Sequence, residues 1–138
     1  IPPPRETGAA ADREQDLARR VRAHLAGLDA GAAPVTYGAL ARALGLWAPG
    51  SVRRITRALE TTMREDAAAG RPFIAARAVS RGRDRLPGEG FFDLARALSR
   101  GPAPDEQDGA FHASELDRLE RALASGDMAD EASGVALS

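Results

Sequence analysis

The chain contains no cysteine, which excludes disulfides, thiolate metal sites and thiol nucleophiles and leaves the redox compartment open. Lysine is also missing, so all 19 basic residues are arginine. No apolar run approaches the roughly 20 residues of a membrane-spanning helix. The first residues lack the basic and apolar regions of a signal peptide. We therefore expect a cytoplasmic protein with no membrane partner.

Aromatic residues are scarce, at 4% of the 138 residues, and alanine supplies much of the 43% that is hydrophobic. The core must therefore rest on Leu, Val, Ile and a few Phe, which favours a small, mainly helical body. The length suits one domain. We predict a single domain over residues 12–124, after a disordered or tag-derived segment (1–11) and before an acidic disordered tail (125–138).

The charges are segregated along the chain although the net charge is only −1. Residues 51–101 hold 11 arginines and six acids, whereas residues 102–138 hold two arginines and nine acids. A strongly basic segment is typical of proteins that bind nucleic acid or another acidic partner. The middle of the chain is therefore the first place to look for a binding surface.

Apolar residues at helical spacing predict a first helix from Asp12, with Leu17, Val21 and Leu25 on its buried face and His24 at the edge. After a turn, Thr36 is a good N-cap for a short second helix that closes at Gly45. We expect Ser51 to cap a longer third helix that runs to about Ala69. Two helices joined by a short turn form a helix-turn-helix.

The third helix has two opposite faces. Its apolar stripe consists of Val52, Ile55, Leu59, Thr62 and Met63. The opposite face carries Arg53, Arg54, Arg57 and Arg64, with only Glu60 among them. Two interpretations stay open: a solvated charged face, which usually mixes both signs of charge, or a contact with DNA or RNA, for which the near absence of acids argues.

The segment after Pro72 predicts a wing. "FIAARAVS" (73–80) suits a short strand, and the Arg-rich and Gly-rich "RGRDRLPGEG" (81–90) suits a hairpin tip. "FFDLARALSR" (91–100) and "FHASELDRLERAL" (111–123) then predict two amphipathic helices, the second with Leu116, Leu119 and Leu123 on its apolar stripe. The fold class expected is mainly α: a winged helix-turn-helix with a short strand and wing and additional flanking helices.

Two motifs resemble a known family. "VTYGALA" (35–41) and "SVRRITRAL" (51–59) are similar to the "V-[ST]-Y-G-x-L-A" and "[AS]-x-R-A-V-x-x-A-[LM]" motifs of the DNA-binding domain of alkylguanine-DNA alkyltransferases and of the alkyltransferase-like proteins. The similarity spans Val35 to about Leu98. In that family the tyrosine helps to rotate a nucleotide out of the duplex and the arginine fills the gap. The matching positions here are Tyr37 and Arg53, and an inserted guanidinium can partly offset lost base stacking.

The family's reactive motif, "P-C-H-R-V", is missing. Its alignment with "IAARAVS" (74–80) places Ala75 at the cysteine, Ala76 at the histidine and Arg77 at the arginine. Without a thiolate and its neighbouring base, no alkyl transfer is possible. The resemblance therefore implies a binding scaffold without the reaction, and we expect no enzyme.

These observations predict a non-enzymatic, alkyltransferase-like protein that binds double-stranded DNA. Tyr37 and Ser51 would hold phosphates, Arg53 would contact a base or the minor groove, and the remaining arginines of the third helix would flank the backbone. The predicted DNA-binding residues are Tyr37, Ser51, Arg53, Arg54, Arg57, Arg64 and, in the wing, Arg81, Arg83 and Arg85. The alternative is a winged-helix protein-interaction module that docks an acidic partner or its own acidic tail.

Three further residues have more than one interpretation. Trp47, in the turn between the two helices, either packs that turn onto the core, which we expect, or stacks on a base. His112 and Glu115 share a helix face and could ligate a metal, but two ligands without a third are weak, so we expect a surface or capping role. We expect no metal and no other cofactor.

Overall fold

The computed structural model describes residues 3–82 and 85–128, with the side chains of residues 3–11 and of residue 30 outside that description. It is mainly helical. The α-helices are α1 (Pro3–Ala26), α2 (Tyr37–Ala43), α3 (Ser51–Ala69), α4 (Glu89–Ala97) and α5 (Asp108–Ser125). None of these helices is long and apolar enough to cross a membrane.

The helix-turn-helix pair, α2 and α3, is set by local signals. Thr36 caps α2 through its hydroxyl, which accepts a hydrogen bond from the Ala39 N–H at 3.1 Å. Gly45 and Gly50 have φ angles of 78° and 85° at the two sides of the turn, a left-handed conformation that favours glycine. The predicted N-cap of α2 is therefore confirmed, and so is the end of α3 at Ala69.

Two helix boundaries and one burial prediction differ from the structure. The first helix begins at Pro3 and not at Asp12, since proline needs no N–H partner in a first helical turn. Gly50, not Ser51, is the N-cap residue of α3, and the Ser51 hydroxyl donates to the Ala48 carbonyl instead of capping. Val52, predicted to lie on the buried stripe of α3, is 48% exposed.

The expected strand is shorter than predicted. Residues Ile74–Arg77 form a single 3-10 turn, and only β2 (Ala78–Val79) is extended. It pairs in parallel with β1 (Val35–Thr36), Val35 opposite Ala78 and Thr36 opposite Val79. The described residues contain this two-stranded parallel sheet and no antiparallel hairpin. The segment after β2 is a loop, closed by a hydrogen bond from the Ser80 N–H to the Leu86 carbonyl at 2.8 Å.

The core lies where α1, α3 and the 3-10 turn meet. Fully buried side chains include Val21, Leu25, Ile55 and Met63, all on the predicted stripes of α1 and α3. Phe73 and Phe92 close the other side, and Phe91 meets the Phe73 and Phe92 rings edge to face. The core thus contains most of the few aromatic residues, as a chain poor in them requires.

The last helix ends next to the predicted boundary at residue 124. It reaches Ser125, and Met128 is only 8% exposed and packs onto the core. From residue 129 onward, the predicted acidic tail (125–138) lies outside the described residues.

Candidate nucleic-acid interface

The arginines of this protein fall into two groups with different surroundings. In the first group, the guanidinium is ion-paired with an acidic side chain. This group consists of Arg19, Arg22, Arg71, Arg77, Arg96, Arg100, Arg118 and Arg121. Most of its members join separate elements of the fold, as Arg22 of α1 does with Asp66 of α3 at 2.8 Å. These arginines have structural partners.

The second group includes the four arginines of α3 that the sequence singled out. We call Arg53, Arg54, Arg57 and Arg64 the arginine face. All four are exposed, and in the part of the chain that the structure describes none of their guanidiniums has an ion pair or a hydrogen bond. Arg53 and Arg64 are 11 positions apart, which is about 16 Å along the helix. Four unpaired cations on one helix can therefore meet several phosphates at once.

Glu60, the acid that the sequence places among these arginines, lies toward α4. Glu60 lies within one or two turns of Arg57 and Arg64, yet forms no ion pair with either within the described residues. Its Oε2 is 4.0 Å from the point where a Cβ of Gly90 would lie, at the start of α4. The positive charge of the arginine face is therefore not neutralised by its own helix.

The two hydroxyl groups predicted to hold phosphates have partners inside the protein. The Tyr37 hydroxyl accepts a hydrogen bond from the Gly88 N–H at 2.7 Å and ties the start of α2 to the start of α4. The Ser51 hydroxyl donates to the Ala48 carbonyl in the turn before α3. The Tyr37 hydroxyl thus holds α2 to α4 and the Ser51 hydroxyl holds the turn before α3, and a phosphate contact would have to share them.

The predicted wing is a loop next to this pair of helices. Arg81 and Arg85 are exposed in it, and Arg85 has a left-handed φ of 62°. Arg83 lies outside the described residues. Because Gly88 is held by Tyr37 and Gly90 lies near Glu60, the end of the loop adjoins both α2 and α3.

Trp47, in the turn between α2 and α3, is more exposed than the sequence predicts. Trp47 was expected to pack onto the core, but its side chain is 74% exposed. With the half-exposed Val52 it forms an apolar surface beside Arg42 and Arg53, in an open groove that no acidic residue of the described part of the chain lines. Neighbouring exposed apolar side chains with a polar rim are typical of contact surfaces, whereas a single one is not. Pro49 and Gly50 mark this stretch as a turn, and that is the sequence signal that could have indicated an exposed Trp47.

The positions aligned with the reactive motif lie in the core. Ala75 and Ala76 are 3% and 0% exposed, so both are small apolar residues of the core. Arg77 is 2% exposed and pairs with Glu120 of α5. Its guanidinium also donates to the Leu25 and Leu28 carbonyls at 2.7 and 2.8 Å. This segment is structural.

The predicted surface role of His112 and Glu115 is wrong, because both are buried. The His112 Nε2 bonds the Ala76 carbonyl at 2.8 Å, and burial lowers the pKa of His112 below its usual value. Glu115 accepts the Phe73 N–H at 2.8 Å and pairs with two arginines. No cluster of three metal-binding side chains occurs among the residues described.

Asp66 is another buried polar residue, and no local sequence pattern indicated it. It is 0% exposed and accepts hydrogen bonds from Arg22, Arg71 and the Ile74 N–H. Burial raises the pKa of Asp66, opposed by the Ile74 N–H and the two guanidiniums. This network joins α1, α3 and the 3-10 turn, and it leaves the arginine face on the outside.

Comparison of the chain with protein-family models, with curated proteins and with solved structures gives no match.

Proposed function

We propose that this protein binds double-stranded DNA through the arginine face and carries out no reaction on it. The observation that supports the proposal is the sorting of the arginines. Acidic side chains neutralise the arginines that hold the fold together, whereas the four on α3 are exposed and have no partner among the residues that the structure describes. Cations held on a rigid helix neutralise phosphates and release their counterions.

The proposal includes a winged-helix arrangement of alkyltransferase-like type. Helix α3 would lie along a groove, and Arg53 in its first turn would contact a base edge or the minor groove. The loop that bears Arg81 and Arg85 would take the place of the wing and contact the backbone. The start of α3 has no acidic residue in its first turn, so its positive helix end is open to a phosphate.

A comparison of matched arginine variants tests this function. Arg57→Ala and Arg64→Ala should each weaken binding to a fluorescein-labelled duplex about tenfold in an anisotropy titration, since each removes a charge-assisted contact. Arg121→Ala is the control, because Arg121 is 78% exposed but pairs with Asp117 on α5. Equal binding by all three variants and the unchanged protein would rule out the arginine face.

The exposed Trp47 supports a second candidate, a protein-interaction module. Tryptophan and arginine are the residues that most often anchor protein interfaces. Trp47, Val52, Arg42 and Arg53 together suit a partner that is apolar and acidic. In this case Trp47→Ala would abolish capture of the partner, and the protein would not bind duplex DNA at any salt concentration.

The chain's own acidic end is a weaker occupant of that surface than the sequence suggests. Of the nine acids in residues 102–138, four are ion-paired inside the fold, namely Asp108, Glu115, Asp117 and Glu120. Removal of every residue after Met128 tests what remains of self-inhibition. Tighter duplex binding by the shortened protein would support it, and unchanged binding would exclude it.

A further inference from the structure

A cleft between α1 and α3 lies beside the arginine face and has chemistry of its own. Its volume is about 290 Å³, and it is lined by Arg13, Glu14 and Leu17 of α1 and by Arg54, Arg57 and Ala58 of α3. Leu17 and Ala58 belong to the core, at 6% and 3% exposure, and make an apolar floor. The charged side chains stand around it.

The rim of this cleft carries excess positive charge. Three guanidiniums face one carboxylate, Glu14, and within the described part of the chain none of the three has an ion pair or a hydrogen bond. Arg54 also lies in the first turn of α3, where the helix dipole adds positive potential. Like charges held together repel each other, and a bound anion would relieve that repulsion.

The size and lining of the cleft define the ligand. A volume of this size is at the lower end of the range for small-molecule sites, which begins at about 300 Å³. Arg54 and Arg57 are three residues apart, so their side chains start about 5–6 Å from each other and can reach one anionic group. The floor of Leu17 and Ala58 offers contact for a short apolar body.

We propose that the α1–α3 cleft binds a small organic anion, with one phosphate or carboxylate head between the three arginines and a short apolar body on the floor. Arg54 and Arg57 belong also to the arginine face. This part rests on the proposed function: the anion and duplex DNA compete, because each uses the guanidiniums of Arg54 and Arg57. The site is then an effector site for nucleic-acid binding.

Ligand chemistry is tested first, without DNA. The full chain, labelled with ¹⁵N, is titrated in NMR experiments with hexyl phosphate, inorganic phosphate and hexanol. Hexyl phosphate is expected to shift the amides of residues 13–17 and 54–58 and to bind at least about tenfold more tightly than either part alone. Equal affinity for inorganic phosphate, or shifts centred on other residues, would overturn the proposal.

Single-residue variants separate the cleft from the DNA surface. Arg13→Ala should weaken hexyl phosphate about tenfold and leave duplex binding unchanged, because Arg13 lies outside the arginine face. Arg64→Ala should do the reverse, since Arg64 is absent from the cleft. Glu14→Gln should tighten hexyl phosphate binding by removing the one acid that the described residues place at the rim. Unchanged hexyl phosphate affinity in Arg13→Ala would refute the site.

Competition is measured last. With hexyl phosphate at ten times its Kd, the duplex should bind the unchanged protein about tenfold more weakly, and the same concentration should have little effect on Arg13→Ala. Unchanged duplex affinity at that concentration would refute the effector role. The NMR titration contains no nucleic acid, so the binding site and the proposed function fail independently.

Discussion

Replacing Arg77 with alanine should destabilise the protein by about 3 kcal/mol, because this residue is a buried cation that four acceptors hold in place. Its side chain is 3% exposed. The Nε–H donates to Glu120 at 2.7 Å, a second nitrogen also bonds that carboxylate, and the third donates to the Leu25 and Leu28 carbonyls at the end of α1.

The magnitude follows from what the substitution leaves behind. Breaking a buried ion pair usually costs about 3–5 kcal/mol. Glu120 is 34% exposed and regains water, which places the expected value at the lower end. The two carbonyls lose their guanidinium donor, at roughly 1 kcal/mol or more each if they stay buried. Because these terms overlap, about 3 kcal/mol is the expected total.

Urea unfolding followed by far-UV circular dichroism measures the effect. With a slope of about 2 kcal/mol/M, the midpoint should fall by about 1.5 M in Arg77→Ala. The control is Arg57→Ala, whose exposed and unpaired guanidinium should change stability by less than about 0.5 kcal/mol. Should Arg77→Ala fail to fold, Glu120→Gln offers a milder loss of about 1–2 kcal/mol. Equal midpoints for the Arg77 and Arg57 variants would refute the division into structural and unpaired arginines.

Three further predictions concern stability. Gly101→Ala should lower the free energy of unfolding by about 1–3 kcal/mol, because the new Cβ would lie 2.5 Å from a backbone nitrogen of α4. Gly109→Ala, with open space around it inside α5, should be neutral or stabilising. Equal urea midpoints for the two variants would contradict this. The pKa of His112 is lowered in the folded protein, so stability should fall as the pH drops through 6.5 and level off below the folded pKa. His112→Gln keeps a donor for the Ala76 carbonyl and should abolish that fall. An unchanged pH dependence in this variant would exclude His112 as its source. A truncation after Met128 should leave the urea midpoint unchanged. A truncation that removes Met128 as well should lower the free energy of unfolding by about 1–3 kcal/mol, because that side chain is buried. Equal midpoints for the two truncations would show that Met128 does not support the core.

The parts of the fold that local signals control could be predicted from the sequence. Thr36 caps α2 as expected, and the arginines of α3 are exposed, because a cap and a helical face depend on residues only a few positions apart. The buried polar residues could not be predicted in this way. Glu115 is in the core because the Phe73 N–H, 42 positions away along the chain, needs an acceptor there.

The candidate site shows the same division. Periodicity identified the arginine face, but it could not show that Glu60 is directed toward α4 or that Asp66 engages Arg22, and both facts decide which arginines stay unpaired. Nor could it place Trp47, since the exposure of a turn residue depends on which helices cover the turn. The cleft beside Arg13 arises where two helices distant in sequence meet.

Salt dependence of duplex binding tests the central claim most directly. If roughly five arginines neutralise phosphates, the logarithm of the association constant should fall against the logarithm of the salt concentration with a slope of about −4. The measurement is a fluorescence-anisotropy titration of the full chain with a labelled duplex at several salt concentrations. A slope near −4, reduced by about one unit in Arg57→Ala, is the predicted result. A slope near zero, or no binding at low salt, would contradict it.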